Sequence, residues 1–224
     1  MTKILIPVTN HSTLGTTEQE NGTYAPELTH ALHVFLKAGF DYDITSIMGG
    51  NAPLYGTEIE DDEVNTEILA NPQFQAKIIN TIQVSQLDIG EYDAIFYPGG
   101  FGLLSDLASH AGMAKLSAEH YENGGILSAV CHGPAGLLPI KLSDGSALLA
   151  NKSVTAFTRE EEIDFGTLEH IPFLLEESLA RKAAQYSKVN PWQEFVVADD
   201  RVITGQNPAS AHAVAETVVN QLGN

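Results

Sequence analysis

The residues best suited to chemistry lie in Ile126-Leu127-Ser128-Ala129-Val130-Cys131-His132-Gly133-Pro134-Ala135. An apolar run enters a cysteine, and a turn of small residues opening a helix comes directly after it. That layout is a nucleophile elbow, a sharp strand-to-helix turn that holds its nucleophile at the carboxyl edge of a sheet, where α/β folds bind ligands. A thiol suits the position because a few per cent of it is ionised at neutral pH even with an unperturbed pKa of about 8.5. A helix starting just after Cys131 would face the sulfur with roughly half a positive charge, and each unit of pKa depression needs about 1.4 kcal/mol. The expectation is a thiol of lowered pKa. The competing reading of the segment alone is a buried, inert cysteine, a common fate of this residue type.

Upstream, Asp93-Ala94-Ile95-Phe96-Tyr97-Pro98-Gly99-Gly100-Phe101-Gly102 is a second strand running into a glycine-rich turn. Glycine permits close approach and unusual dihedrals, so the amides of Gly99 and Gly100 can be aimed at a developing oxyanion. Most Pro-Gly-Gly turns are only turns. On a strand beside a cysteine elbow, this one becomes an oxyanion-hole candidate.

These segments need a scaffold, and 224 residues with 43% apolar content suffice for one α/β domain over the whole chain. Eleven Lys and Arg against 29 Asp and Glu give a formal charge of −18, which repels phosphate backbones and argues against nucleic-acid partners. The lone cysteine excludes an internal disulfide and a CxxC metal site, in keeping with a reducing compartment. Ile4 to Val8 reads as a first buried strand rather than a signal peptide, and no apolar run approaches the roughly 18 residues of a membrane span. A soluble, cytoplasmic chain is expected.

β-Rich runs recur at Ile4–Val8, Ile44–Met48, Ala94–Tyr97, Ile126–Val130, Ser153–Phe157, Phe195–Ala198 and Val202–Thr204, with helical patterns between them. Such alternation predicts a doubly wound, mostly parallel sheet with helices on both faces. Apolar residues from Ala25 to Leu36 share one helical face that ends at Gly39, and those from Ala211 to Leu222 share another, with Asn207 and Pro208 as cap and first-turn proline. Phe74 to Ile82 could be a helix, and the acidic Glu58–Glu63 run reads as a solvated face. His30 and His33 sit at i, i+3 without a third ligand, so no metal site is expected. Trp192 and Tyr186 read as packing residues.

Four motifs together resemble a known family. Tyr97-Pro98-Gly99-Gly100, Ala129-Val130-Cys131-His132-Gly133-Pro134-Ala135, Val154-Thr155-Ala156-Phe157-Thr158 followed by Glu160-Glu161-Glu162, and Ile203-Thr204-Gly205-Gln206-Asn207-Pro208-Ala209-Ser210 look like the ThiJ/PfpI superfamily of class I glutamine-amidotransferase-like proteins. The last two are similar to the branch of glutathione-independent glyoxalase III enzymes and related heat-shock chaperones. The resemblance implies a flavodoxin-like α/β fold, Cys131 as nucleophile, His132 as its partner and Glu162 as the acid orienting that histidine, with Glu161 the fallback. It also implies Glu27, on the first helix, as the thiol's hydrogen-bond partner and proton shuttle; read alone, Glu27 is an ordinary first-turn acid favoured by the helix dipole. Relatives often carry His where this chain has Phe101, which implies weaker activity or a more apolar substrate.

The implied reaction is cofactor-free conversion of a small 2-oxoaldehyde such as methylglyoxal to its 2-hydroxy acid, in a homodimer. The alternative is a stress-response holdase or a redox sensor working through oxidation of Cys131. An amidotransferase would need a later His-x-Glu pair, which neither His170 nor His212 supplies, and a peptidase would need an oligomer to build its cleft.

Overall fold

A computed structural model describes residues 2–223. In chain order the elements are β1 (Lys3–Pro7), β2 (Thr23–Tyr24), α1 (Ala25–Lys37), β3 (Asp41–Ser46), β4 (Leu54–Tyr55), α2 (Glu63–Ala70), α3 (Pro72–Ile79), β5 (Ile82–Gln83), β6 (Ala94–Tyr97), α4 (Gly102–Ser105), α5 (Ala111–Glu122), β7 (Ile126–Val130), β8 (Ser153–Val154), α6 (Arg159–Phe165), α7 (Leu175–Lys182), β9 (Gln185–Tyr186), β10 (Val196–Asp199), β11 (Val202–Gly205) and α8 (Ala211–Leu222). Seven strands form the central sheet in the order β10-β11-β7-β6-β1-β3-β5, parallel except for the β10–β11 pair. Strand side chains alternate between faces, so Leu5, Ile95 and Leu127 pack under α5 while Ile4, Ile6, Phe96 and Ile126 pack under α1 and α8. The parallel sheet covered on both faces is the one expected from the run of short apolar segments.

The chain winds from β1 outward to β3 and β5, then returns to place β6 on the other side of β1. This reversal opens a crevice at the carboxyl ends of β1 and β6, the usual ligand position in such sheets. β7 lies beside β6, with Tyr97 paired to Ala129, so the Gly99-Gly100 turn and Cys131 leave the sheet next to each other.

Several expected elements differ. The strand expected at Ile44–Met48 runs from Asp41 to Ser46, and the helix expected at Phe74–Ile82 is Pro72–Ile79, begun by Asn71, whose side chain accepts from the Gln73 amide at 2.8 Å. Of the expected Ser153–Phe157 strand, only Ser153 and Val154 are β, and they pair with β9 outside the central sheet. Downstream backbone groups bond elsewhere: the Thr155 amide donates to Thr204 Oγ1 at 2.9 Å and the Phe157 amide to the Cys131 carbonyl at 3.0 Å. Asn207 does not cap α8, which starts only at Ala211; its side-chain amide donates instead to Glu161 Oε1 and the Gln193 carbonyl, each at 2.8 Å. The acidic run is not wholly a solvated face, because Asp62 caps α2 and holds His30 Nε2 at 2.9 Å.

The sheet edge is fastened by Asp43 on β3. It takes Lys3 Nζ from β1 and Lys77 Nζ from α3 at 2.7 Å each, and Tyr92 O–H donates to it at 3.0 Å. Burial pushes the Asp43 carboxyl up, but hydrogen bonds from Lys3, Lys77 and Tyr92 outweigh it and leave the group below its usual value. A lowered carboxyl pKa contributes stability above the ordinary carboxylate range and loses it as pH falls through the folded-state value. Asp43→Asn is therefore expected to cost about 1–3 kcal/mol near neutrality, a fall of several degrees in Tm, with the gap from wild type closing in acid. Thermal melts of both proteins across the acidic range check this, and a gap independent of pH would show the ion cluster to be idle.

Candidate active site

Cys131 ends β7 in a left-handed conformation, with φ of 58°. For a non-glycine residue this is unusual, and the surroundings hold it: its amide donates to the Gly205 carbonyl and its own carbonyl accepts from the Phe157 amide, both at 3.0 Å. The chain beyond His132 forms a short 3-10 helix, Gly133–Leu137, rather than an α-helix with a full dipole. Cys131 is buried, with 5% of its surface exposed. Burial, then the nearby Glu27, Glu161 and Glu162 carboxyls, pushes its pKa well above the ordinary thiol value. The expected depression is therefore reversed: the weak helix end cannot offset desolvation and three acids.

Glu27 reaches this thiol because α1 is tied to the glycine turn, the Tyr24 amide donating to the Gly99 carbonyl at 3.0 Å. A Cβ on Gly99 would lie 2.1 Å from Glu27 Oε2 and 2.7 Å from Cys131 Cβ, while Gly100 has φ of 121° and would strike the Gly22 carbonyl at 2.3 Å. Only glycines let β6, α1 and the elbow meet. Glu27 is 0% exposed, and its contacts with the thiol and the Gly99 amide stop short of full hydrogen bonds. Burial dominates and raises its pKa to about 8. The Gly99 amide thus faces Glu27.

His132 Nδ1 lies 3.3 Å from Cys131 Sγ, and His132 Nε2 lies 2.7 Å from Glu162 Oε1. Glu162 Oε2 accepts from Thr167 Oγ1. Since the carboxylate can only accept, the network assigns the proton to Nε2 and turns the Nδ1 lone pair toward sulfur. The imidazole is clamped between Phe101 and Phe157, with ring centroids 4.5 and 4.6 Å away.

Of the two acids weighed for His132, the structure brings Glu162 to it and turns Glu161 elsewhere. Glu161 is fully buried and accepts from the Thr158 amide and hydroxyl, the Trp192 amide, Gln206 Nε2 and Asn207 Nδ2 at 2.8–3.1 Å. Its capping box starts α6, so the same acid that positions the helix also ties down the Trp192 loop.

These groups form the floor of a pocket with a cavity volume of about 70 Å³, walled by Tyr24, Tyr55, Phe101, Phe157, Phe165 and Trp192. Phe101 is a wall residue whose ring lies tilted against His132, and Trp192, read from sequence as packing, stands 43% exposed at the mouth. Tyr24, Tyr55, Phe157 and Phe165 carry no local signal as a site, since their convergence needs β2, β4 and the stretch around α6 to come together. No group of His, Cys, Asp and Glu among the described residues could hold a metal ion, and no helix among them is long and apolar enough to cross a membrane.

Iodoacetamide alkylation of Cys131 is expected to rise with a midpoint above the free-thiol value of about 8.5, and Glu27→Gln, which removes one anion, is expected to lower that midpoint. A midpoint at or below the free-thiol value contradicts the electrostatics. Glu161→Gln is expected to cost at least about 2 kcal/mol by turning a donor toward donors in a buried site, which a denaturant titration reads. An unchanged unfolding midpoint would mean the five bonds are dispensable.

Residues 20–221 match the model of the DJ-1/PfpI family. The glutathione-independent glyoxalase HSP31 of Saccharomyces cerevisiae is 29% identical over 99% of this chain and 98% of the yeast protein. Among solved structures, the Rapid Encystment Protein 24 KDa of Francisella tularensis superposes with a TM-score of 0.95 at 33% identity over 100% of both chains. Glyoxalase III of Candida albicans superposes with a TM-score of 0.86 at 28% identity, covering 98% of this chain and 96% of that one. With Glu27, the glycine turn, the elbow and Glu162 all inside the matched span, the chain belongs to the DJ-1/PfpI family.

Proposed function

We propose that the protein is a glutathione-independent glyoxalase, converting a 2-oxoaldehyde and water to the 2-hydroxy acid without a redox cofactor. The observation that carries this reading is the meeting of a thiol, an imidazole backed by a carboxylate and a second, separately placed carboxyl group at the floor of one pocket. Sulfur of Cys131 adds to the aldehyde carbon, and His132 Nδ1 takes the thiol proton as the carbon–sulfur bond forms. That order suits a thiol held protonated by burial. The hemithioacetal oxygen lies against the glycine turn, where the Gly100 amide supports its charge.

Glu27 then takes the former aldehyde hydrogen from C1 and returns a proton to C2 through an enediol, leaving a thioester of the 2-hydroxy acid. A group with a pKa of about 8 is within reach of both states near neutrality, as a two-way proton carrier must be. Water adds to the thioester, sulfur leaves with its proton, and the acid departs. Atoms balance as aldehyde plus water to hydroxy acid, so oxidation at C1 is matched by reduction at C2.

A redox-sensing thiol is accessible and of low pKa, whereas Cys131 is 5% exposed and its thiol is shifted upward. Turnover of methylglyoxal to lactate without glutathione is the test. Cys131→Ala is expected to abolish it, and Glu27→Gln to reduce it by roughly two to four orders of magnitude while Cys131 still alkylates. Glu162→Gln is expected to lower it about tenfold to a thousandfold. Lactate formation persisting in Cys131→Ala would sink the covalent route.

A further inference from the structure

The pocket is more apolar than a three-carbon substrate requires. Its reactive groups, Cys131, His132 and Glu27, are on the floor, and every other wall residue except Pro208 is aromatic. Phe101 is at the centre, with ring centroids 6.2 Å from Tyr55, 5.9 Å from Phe165 and 6.5 Å from Phe157. Trp192 continues the wall to the rim, 5.6 Å from Phe157 and 6.3 Å from Phe165.

This rim is built, not merely exposed. Phe165 and Trp192 keep 56% and 43% of their surface open to water, a costly arrangement for two large apolar groups unless something covers them. Trp192 also has a left-handed backbone conformation, φ 64°, with its backbone N–H donating to the buried Glu161 carboxyl at 2.9 Å, while its indole N–H donates to Asp164 at 3.2 Å. A ring fixed in this way loses little freedom when a ligand packs against it.

We propose that these rings form a subsite for an aromatic or bulky apolar substituent, so that arylglyoxals are preferred over methylglyoxal; this rests on the glyoxalase reading above. With the aldehyde end on Cys131, the substituent has only the aromatic wall to meet. A phenyl group can stack edge-to-face or offset on Phe101, Phe165 and Trp192, whereas a methyl group reaches none of them well. The gain falls on binding before and during the reaction alike, so it appears chiefly in KM.

Phenylglyoxal is expected to show kcat/KM at least about tenfold above methylglyoxal, and Trp192→Ala and Phe101→His are each expected to cut that ratio several-fold. Comparing ratios between proteins cancels the different intrinsic reactivity of the two aldehydes. A second readout needs no turnover, because Trp192 is the chain's single tryptophan. Its fluorescence in the wild-type protein is expected to change saturably with 2-hydroxyacetophenone, at concentrations at least about tenfold below those needed of hydroxyacetone. Failure to turn over either aldehyde, with that fluorescence preference intact, would reject the glyoxalase reading and keep the aryl subsite. Equal fluorescence titrations, or a kcat/KM ratio that Trp192→Ala leaves unchanged, would overturn the subsite itself.

Discussion

Everything at the site depends on one backbone conformation, the left-handed turn at Cys131. Holding a non-glycine residue there costs of order 1–3 kcal/mol, and two backbone hydrogen bonds, to Gly205 and from Phe157, offset it. Those bonds come from the end of β11 and from the segment that leaves β8, so the thiol is positioned by the sheet's neighbours and not by its own strand alone. The same segment carries Phe157 onto His132 and then, one residue later, the Thr158 cap of α6. Glu161 and Glu162 come next, in the first turn of that helix. One strained residue and its two bonds therefore set where the imidazole, its acid and the aromatic rim can be.

Three buried carboxyl groups surround one thiol, and their hydrogen bonding separates their roles. Glu161 is saturated by donors and acts as a clamp between α6, the Trp192 loop and the β11 end. Glu162 is divided between His132 and Thr167, which fixes the ring and leaves Nδ1 free to accept. Glu27 has no full hydrogen bond, so burial outweighs its weak contacts with Cys131 and the Gly99 amide and brings its pKa near the working range of a proton carrier. The acid with the fewest partners is thus the one free to move a proton.

The strand runs of the sequence predict the central sheet because parallel strands buried on both faces are nearly continuous apolar runs, as Ile4–Pro7 is throughout and Ile126–Val130 is apart from Ser128. α1 and α8 are legible for the matching reason, each presenting an apolar face to one side of that sheet. α5 gives little signal: Ala111, Gly112, Ala114 and Ala118 dilute its apolar pattern, and contact with the sheet stabilises it regardless. Ser153–Phe157 misleads because β-branched and aromatic residues there serve the elbow and the pocket instead of a ladder. Cys131 and the glycine turn can be read as chemistry from local spacing, while Glu27 and Glu162 need a family resemblance, since nothing nearby distinguishes them from helix-dipole acids. The thiol's electrostatics cannot be read at all. They depend on which acids fold inward, and Glu161 enters that count only through donors from Trp192, Gln206 and Asn207, far along the chain.

In the proposed route the same electrostatics also bear on how substrate enters and how product leaves. A 2-oxoaldehyde is neutral, and it meets a protonated thiol among aromatic walls that favour neutral, apolar matter. Its product is an anion, formed beside Glu27 in a space that already holds Glu162 and Glu161 close by. Charge buried in low dielectric beside other carboxyls is disfavoured, and the chain's net charge of −18 adds repulsion wherever it lies within about 8 Å of the mouth. The same desolvation that raises the thiol's pKa and slows its ionisation thus favours substrate entry and drives the acid out. In the proposed route the slower first step and the readier last one share one cause, the dry acidic pocket that the elbow, α1 and α6 build together.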